Sequence, residues 1–316
     1  MKTSVSLVLV LLLLGLAAPG FAQDEAELQA AYEAAAAAEG MYGVTETVVN
    51  IDHMGYNIVG TLAMPDGEGP FPIVLLLHGF TGQRHELPVV GTEEFMYGRT
   101  ARHLGERGYA SLRIDFLGSG ESDGAWEDTT FSGQIADALV ALEYASGLDG
   151  VDGERIGIIG LSQGGLVASG TAAAAADQVD TVILWSPVSS PPMSYTILLG
   201  MDWISAGLAS GGEAVSGTLP WGAEIALRTG FFDEIFTVDP VGELANYGGP
   251  VQVVVGTRDD TVWPQPQAGQ VYLNYHDGPE QLVVLDGDHI FDVLATGPAV
   301  LDEAITWALA WLMLTL

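Results

Sequence analysis

The chain of 316 residues contains no cysteine and very few cationic side chains. The absence of cysteine excludes disulfide bonds, thiolate metal sites, cysteine nucleophiles and lipid attachment through a cysteine. Stability must therefore come from a hydrophobic core, and a chain of this length can bury one as a single large domain. Lys2 is the only lysine, and all other cationic side chains are arginines.

Negative charge dominates the composition, with 41 aspartates and glutamates against 9 lysines and arginines and a formal net charge of −32 at pH 7. So acidic a surface repels nucleic acid and anionic lipid, and we predict no nucleic-acid partner. It also disfavours polyanionic substrates. The balance is compatible with a saline or acidic habitat, where screening or protonation relieves the repulsion between carboxylates.

The two ends of the chain carry apolar runs that bear on membranes and export. Residues 1–22 have the pattern of a secretory signal peptide, with Lys2, an apolar run over 5–16 and small residues up to Ala22. This run and the apolar segment at 304–316 are too short to span a bilayer, and we interpret the second as a helix that covers a sheet. The sequence therefore predicts export to the periplasm or beyond, with no stable membrane span in the mature chain.

Residues 23–45 form a predicted N-terminal lead-in that is rich in alanine and glutamate at its start, either a solvated helix or a loose segment. Residues 46–316 alternate between strand and helix patterns. Strand candidates at 46–51 and 57–64 predict an antiparallel hairpin.

Uniformly apolar runs, typical of parallel strands covered on both faces, follow at 73–77, 110–116, 156–159, 182–185, 251–255 and 282–285. Helical patterns lie at 93–107, 131–145, 163–175, 265–275 and 301–314. The sequence therefore predicts an α/β domain with a doubly wound, mostly parallel sheet.

About 60 residues separate the apolar run that ends near 185 from the one that begins at 251, far more than a simple crossover needs. The segment at about 188–249 has helical patterns at 197–209 and 221–228 and many aromatic residues. Two interpretations stay open: a cap inserted over a functional site, or an elaborated crossover with a small core of its own.

The most informative stretch is residues 160–164, Gly-Leu-Ser-Gln-Gly, between a strand candidate and a helix candidate. A serine at such a sharp turn is lifted out of the sheet, and flanking glycines remove Cβ atoms that would clash. The turn also leaves the backbone N–H of Gln163 at a helix N-terminus, where a negative oxygen is favoured. We interpret Ser162 as a nucleophile; the alternative is a glycine-rich turn with a capping serine.

A serine nucleophile needs a base to take its proton, and the base needs an acid to orient it. Among six histidines, His289 follows the last predicted strand and should lie at the sheet edge where Ser162 emerges. Asp259 and Asp260 follow the strand at 251–255 and should reach the same edge. Either aspartate could be the acid.

The loop at 77–82, Leu-His-Gly-Phe-Thr-Gly, follows a buried strand and suits a further requirement of acyl transfer, backbone donors for the oxyanion. Its first glycine lets the loop pass close to a reacting carbonyl. We assign the N–H groups of Phe80 and Gln163 as these donors and expect His78 to brace the loop. The alternative is an ordinary polar turn.

Taken together, these motifs resemble a known family. Residues 78–82, 113–124, 160–165, 256–262 and 287–291 are similar in kind and order to the motifs of α/β-hydrolase fold serine esterases, most closely the feruloyl (cinnamoyl) esterase-like branch. The resemblance runs from about residue 57 to residue 310. It implies the α/β-hydrolase fold with a cap inserted between the sixth and seventh core strands.

The resemblance also assigns roles. It favours Asp259 as the acid, because in related sequences the aspartate stands three residues after the glycine and three before a valine. The order Ser162, Asp259, His289 is that of the family. There are two departures: Leu161 stands where histidine is common, and the segment at 188–249 does not match closely enough to carry over residues that recognise a phenolic ring.

The function implied is that of a secreted serine hydrolase that cleaves small-molecule carboxylic esters through an acyl-enzyme, without metal or cofactor. Hydroxycinnamate esters are the candidate substrates. The alternatives are a serine peptidase similar to prolyl oligopeptidases and a catalytically inactive binding protein on the same fold.

Overall fold

The structure is a computed structural model that describes residues 25–316, so the predicted signal peptide at 1–22 lies outside the described residues. In the described part the chain forms ten strands: β1 Val44–His53, β2 Tyr56–Pro65, β3 Phe71–Leu77, β4 Ala110–Ile114, β5 Val151–Leu161, β6 Thr181–Trp185, β7 Val215–Thr218, β8 Glu224–Leu227, β9 Val251–Gly256 and β10 Glu280–Leu285.

Eight of these strands form one sheet in the order β1-β2-β4-β3-β5-β6-β9-β10. β2 pairs antiparallel with β1 and with β4, and all other neighbours in this sheet are parallel. The predicted hairpin and the predicted mostly parallel sheet are both confirmed. Every residue of β3 is buried, because helices cover both of its faces, and this explains its uniformly apolar sequence.

The helices are α1 Glu25–Ala37, α2 Met96–Gly105, α3 Phe131–Ser146, α4 Gln163–Ala174, α5 Pro191–Leu199, α6 Met201–Leu208, α7 Thr229–Glu234, α8 Pro240–Leu244, α9 Gln267–Leu273 and α10 Ala299–Thr315, with a 3₁₀ turn at Trp126–Asp128. α1, α2 and α10 cover one face of the large sheet, and α3, α4 and α9 cover the other. The doubly wound arrangement is therefore confirmed. Across residues 25–316, no helix combines the length and the hydropathy needed to cross a membrane.

The lead-in contains a helix with one buried side. Leu28, Ala31 and Ala35 of α1 are buried where α1 packs on α10, and the ring of Tyr32 lies 4.3 Å from that of Trp307. The alanines allow close approach because their side chains end at Cβ. Composition does not predict this contact, since the same alanines would suit a solvated helix.

The segment between β6 and β9 contains α5 to α8 and a separate hairpin of β7 and β8. The helix predicted at 221–228 is wrong, because β8 lies there and pairs antiparallel with β7. The indole of Trp203 in α6 lies directly over Gly217 of β7, where a Cβ would be 2.3 Å from the ring. The hairpin therefore packs through a contact with α6 that local periodicity does not reveal.

Leu28→Ala should lower the free energy of unfolding by about 2 kcal/mol, because truncating a buried leucine removes apolar contacts and leaves a cavity. Chemical denaturation measures the change. Gln29→Ala, on the exposed side of α1, is the matched control and should stay within about 0.5 kcal/mol of the parent. Equal stability of the two variants would contradict the packing of α1 on α10.

Candidate active site

Ser162 lies on the turn between β5 and α4 with φ 56° and ψ −114°, a conformation that is costly for any residue with a side chain. Its neighbours have no room for side chains. A Cβ on Gly160 would lie 2.2 Å from the carbonyl oxygen of Gly164, and a Cβ on Gly164 would lie 2.0 Å from that of Leu77. The Ser162 side chain makes no capping hydrogen bond to α4, so the alternative of a serine that caps the helix does not hold.

His289 and Asp259 form a hydrogen-bonded pair at the carboxyl edge of the sheet. Nδ1 of His289 lies 2.9 Å from Oδ2 of Asp259, whose side chain is fully buried. The other carboxylate oxygen accepts the backbone N–H groups of Thr261 and Val262, each at 2.9 Å. Of the two candidate aspartates, the fold brings Asp259 to the histidine and leaves Asp260 exposed.

The loop after β3 passes beside Ser162. A Cβ on Gly79 would lie 3.5 Å from the Cβ of Ser162, in ordinary van der Waals contact. The backbone N–H groups of Phe80 and Gln163 find no hydrogen-bond acceptor in the part of the chain that the structure describes. Both are therefore available to an anionic oxygen.

His78 braces this loop, as the sequence indicated, and its side chain is fully buried. Nε2 accepts the backbone N–H of Phe116 at 3.3 Å, which leaves the proton on Nδ1, and Nδ1 donates to the carbonyl of Gly79 at 2.9 Å. Burial lowers the pKa of His78 to about 4, so the ring stays neutral near pH 7.

Glu86 is a site residue that sequence reasoning missed. It lies between β3 and α2 with φ 59°, lines the same pocket as Ser162, and accepts the backbone N–H of Gly79. Burial raises the pKa of its carboxyl group to about 7, against the opposing effects of that hydrogen bond and of His289. Nothing in the local sequence separates this glutamate from the many other acidic residues, because only the fold brings its partner to it.

A pocket of about 460 Å³ opens beside these groups, and both Ser162 and His289 line it. Apolar and aromatic side chains make most of the wall: Phe80, Leu87, Leu161, Val188, Tyr195, Leu198, Trp221, Val262, Ile290 and Leu294. Its other ionisable lining is acidic, from Glu86, Asp260 and Asp288. Among the described residues, no three histidine or acidic side chains are grouped so as to hold a metal ion.

The side chain of Gln163 ties the serine turn to two other elements. Its Oε1 accepts the hydroxyl of Tyr195 in α5, and its Nε2 donates to Oε1 of Gln134 in α3 at 2.7 Å. Gln134 in turn donates to Oγ1 of Thr129 at 3.1 Å. Gln163, Gln134 and Tyr195 are all buried, so the network fixes the segment after β6 against the turn that carries Ser162.

Aromatic rings connect the same elements. Phe80 and Phe131 each lie 5.0–5.5 Å, centroid to centroid, from both Tyr195 and Phe231. Tyr195 and Phe231 are themselves 5.2 Å apart. Tyr195 and Phe231 of the segment at 188–249 thus pack against the loop and α3, and Tyr195 and Trp221 of the same segment line the pocket.

Comparison with known proteins finds one recurring fold. A family model described as the alpha/beta hydrolase fold matches residues 72–212. The structure of Est1E from Butyrivibrio proteoclasticus with ferulic acid bound superposes with a TM-score of 0.68 and 27% sequence identity, covering 84% of this chain and 98% of that one.

Two curated relatives match over shorter regions. The putative hydrolase YtaP of Bacillus subtilis (strain 168) is 36% identical over 121 residues, which cover 34% of this chain and 40% of that protein. An uncharacterised 31.7 kDa protein of Escherichia coli, from the traX-finO intergenic region, is 31% identical over 115 residues, covering 36% and 37% of the two chains. The chain therefore spans well under half the length of the curated relatives it matches.

Acidification should destabilise the parent protein more than a His78→Asn variant. As pH falls, the histidine of the unfolded chain takes up its proton near pH 6.5, whereas the folded site resists until about pH 4, so stability is lost through this window. Between pH 7.5 and pH 5 the parent should lose about 2 kcal/mol more than the variant. Urea denaturation across this range measures the free energy of unfolding of both proteins. The contributions of the acidic groups cancel in the difference, because both proteins contain them. Parallel pH profiles would contradict a neutral, buried His78.

Proposed function

Because the chain is an α/β hydrolase by fold, we propose that it is a serine hydrolase that cleaves carboxylic esters through an acyl-enzyme. The observation that carries the proposal is one shared pocket, lined by a serine on a strained turn and by a histidine paired with a buried aspartate. The resemblance to α/β-hydrolase serine esterases of the feruloyl branch, which the sequence predicted, is confirmed by the family model and by the likeness to Est1E.

In the proposed mechanism, Oγ of Ser162 attacks the acyl carbon of the ester while Nε2 of His289 takes the serine proton. Nδ1–H of His289 donates to Asp259, which holds the ring and stabilises its cationic form. The N–H groups of Phe80 and Gln163 bind the oxyanion of the tetrahedral intermediate. His289 then protonates the departing alcohol. Water gives a proton to His289 as it attacks the acyl-enzyme, and Oγ of Ser162 takes that proton as it leaves and releases the carboxylic acid.

We propose an ester with an apolar or aromatic acyl group, such as a hydroxycinnamate, as the substrate. The apolar wall of the pocket and the likeness to Est1E, solved with ferulic acid, support this choice. A substrate carboxylate would find no cation in the pocket lining. Seven of the eight arginines form ion pairs with carboxylates, and Arg155 donates to the main-chain oxygen of Leu316.

Two further parts of the proposal concern the segment at 188–249 and the N-terminus of the chain. The segment at 188–249 acts as a cap, supported by the contribution of Ser194, Tyr195, Leu198 and Trp221 to the pocket wall. Export rests on the pattern of residues 1–22 alone. The N-terminal sequence of the protein recovered from its natural host would decide it, with a start near Gln23 expected.

A fluorophosphonate probe should label the parent protein, whereas Ser162→Ala should resist labelling and lose at least about 10⁴-fold in kcat/KM on nitrophenyl esters. Methyl ferulate should be hydrolysed with a kcat/KM about tenfold above that of methyl acetate, because the ring buries apolar surface in the pocket. A folded parent that resists the probe would point to a binding protein instead. Cleavage of amino-acyl amides in preference to esters would point to a peptidase.

Asp259→Asn should reduce kcat by about 10³-fold to 10⁴-fold, because an amide cannot hold the histidine in the required tautomer or stabilise its charge. Asp260→Asn is the matched control at the adjacent position and should cost less than about tenfold, since Asp260 is exposed and the hydrogen bond and ion pair of His289 go to Asp259. Steady-state kinetics on one nitrophenyl ester measures both. The reverse order of effects would overturn the assignment of the acid.

A further inference from the structure

Hydrogen bonds fix both peptide groups that flank Gly79 in the loop after β3. The N–H of Gly79 donates to Oε1 of Glu86. The carbonyl of Gly79 accepts Nδ1–H of His78 at 2.9 Å and the N–H of Gly82 at 3.0 Å. This carbonyl and the N–H of Phe80 belong to one planar peptide group, so the orientation of one determines that of the other.

Close packing does not require a glycine at position 79. A Cβ at this position would lie at least 3.5 Å from its nearest neighbours, which is ordinary van der Waals contact, so no close approach requires a glycine here. Glycine also has the widest range of backbone dihedrals. The hydrogen bond from the Gly79 N–H to Glu86 restrains the His78–Gly79 peptide group, which adjoins the peptide group that carries the Phe80 N–H.

Glu86 is in turn held in place. Its backbone N–H donates to the carbonyl of Gln83 at 2.8 Å, and the residue is 8% exposed. Its carboxylate occupies the space where a side chain on residue 82 would be, because a Cβ on Gly82 would lie 2.7 Å from Oε1. The absence of a side chain at Gly82 thus makes room for the carboxylate.

We propose that Glu86 is a positioning residue that, through Gly79, aims the Phe80 N–H at the oxyanion of the tetrahedral intermediate. The inference rests on the proposed function and adds to it a residue outside the serine, histidine and aspartate. Glu86 acts by accepting a hydrogen bond at a fixed reach, and its charge is not what the loop requires.

Three substitutions distinguish the position of the Glu86 acceptor oxygen from the negative charge of the side chain. Glu86→Gln keeps a carbonyl oxygen at the same reach and removes the charge. Glu86→Asp keeps the charge and withdraws the acceptor by one methylene group. Glu86→Leu removes the acceptor at similar volume.

We expect kcat of the Gln variant to stay within about fivefold of the parent and kcat of the Asp variant to fall at least about tenfold below it. The Leu variant should fall about 10²-fold below the parent, because losing one oxyanion donor costs about that much. KM on a nitrophenyl ester should change less than about threefold, because the loop acts on the transition state and not on substrate binding. The affinity for an aryl trifluoromethyl ketone, which forms a tetrahedral oxyanion on the serine, should fall in the same order as kcat.

Thermal unfolding of each variant shows whether it is folded. If the Leu variant does not fold, the comparison of Gln with Asp still decides the proposal. A Gln variant as impaired as Leu, with Asp near the parent, would overturn it in favour of a role through charge. Four proteins of equal kcat would overturn it as well. A folded parent with neither esterase activity nor probe labelling would instead overturn the proposed function, so the two failures are distinguishable.

Discussion

The site depends on direct contact between two backbone segments, the end of β3 and the turn that leads from β5 into α4. Gly164, at the start of α4, lies so close to the carbonyl of Leu77 at the end of β3 that no side chain fits between them. The hydroxyl of Tyr97 bridges the same two strands, donating to the Leu77 carbonyl at 2.7 Å and accepting the N–H of Leu161 at 3.1 Å. These contacts set the spacing between the serine turn and the loop that carries the Phe80 N–H. The chemistry proposed for the pocket depends on that spacing.

The features that the sequence predicts are those with a local signal. The buried strands are continuous apolar runs, and the serine turn requires glycines on both sides, so both can be found within a few residues of sequence. A parallel sheet brings the residues that follow its strands to one edge, and this predicts that Ser162 and His289 lie there. The same reasoning does not choose between Asp259 and Asp260, because both residues follow β9. The resemblance favoured Asp259, and the structure shows the physical difference, since Asp259 is buried and accepts two backbone N–H groups.

The sequence does not predict the contacts between segments that lie far apart along the chain. Glu86 is one carboxylate among many until the loop brings Gly79 to it. The helix predicted at 221–228 is wrong because β8 pairs there with β7, and neither this pairing nor the contact between Trp203 and Gly217 has a counterpart in local periodicity. The packing of α1 has the same origin, because Leu28 and the alanines near it are buried where α1 packs on α10. In each case tertiary contact, and not intrinsic preference, decides the outcome.

The hydrogen bond between Tyr195 and Gln163 limits how freely this scaffold can be recombined. A chimera that took its insertion from another hydrolase would lose the tyrosine hydroxyl and leave the glutamine amide oxygen buried without a donor. The amide would then turn or draw in water, and the residue next to the nucleophile would shift with it. Exchange of insertions for new substrate preference therefore has to conserve a donor at position 195, or replace the glutamine at the same time.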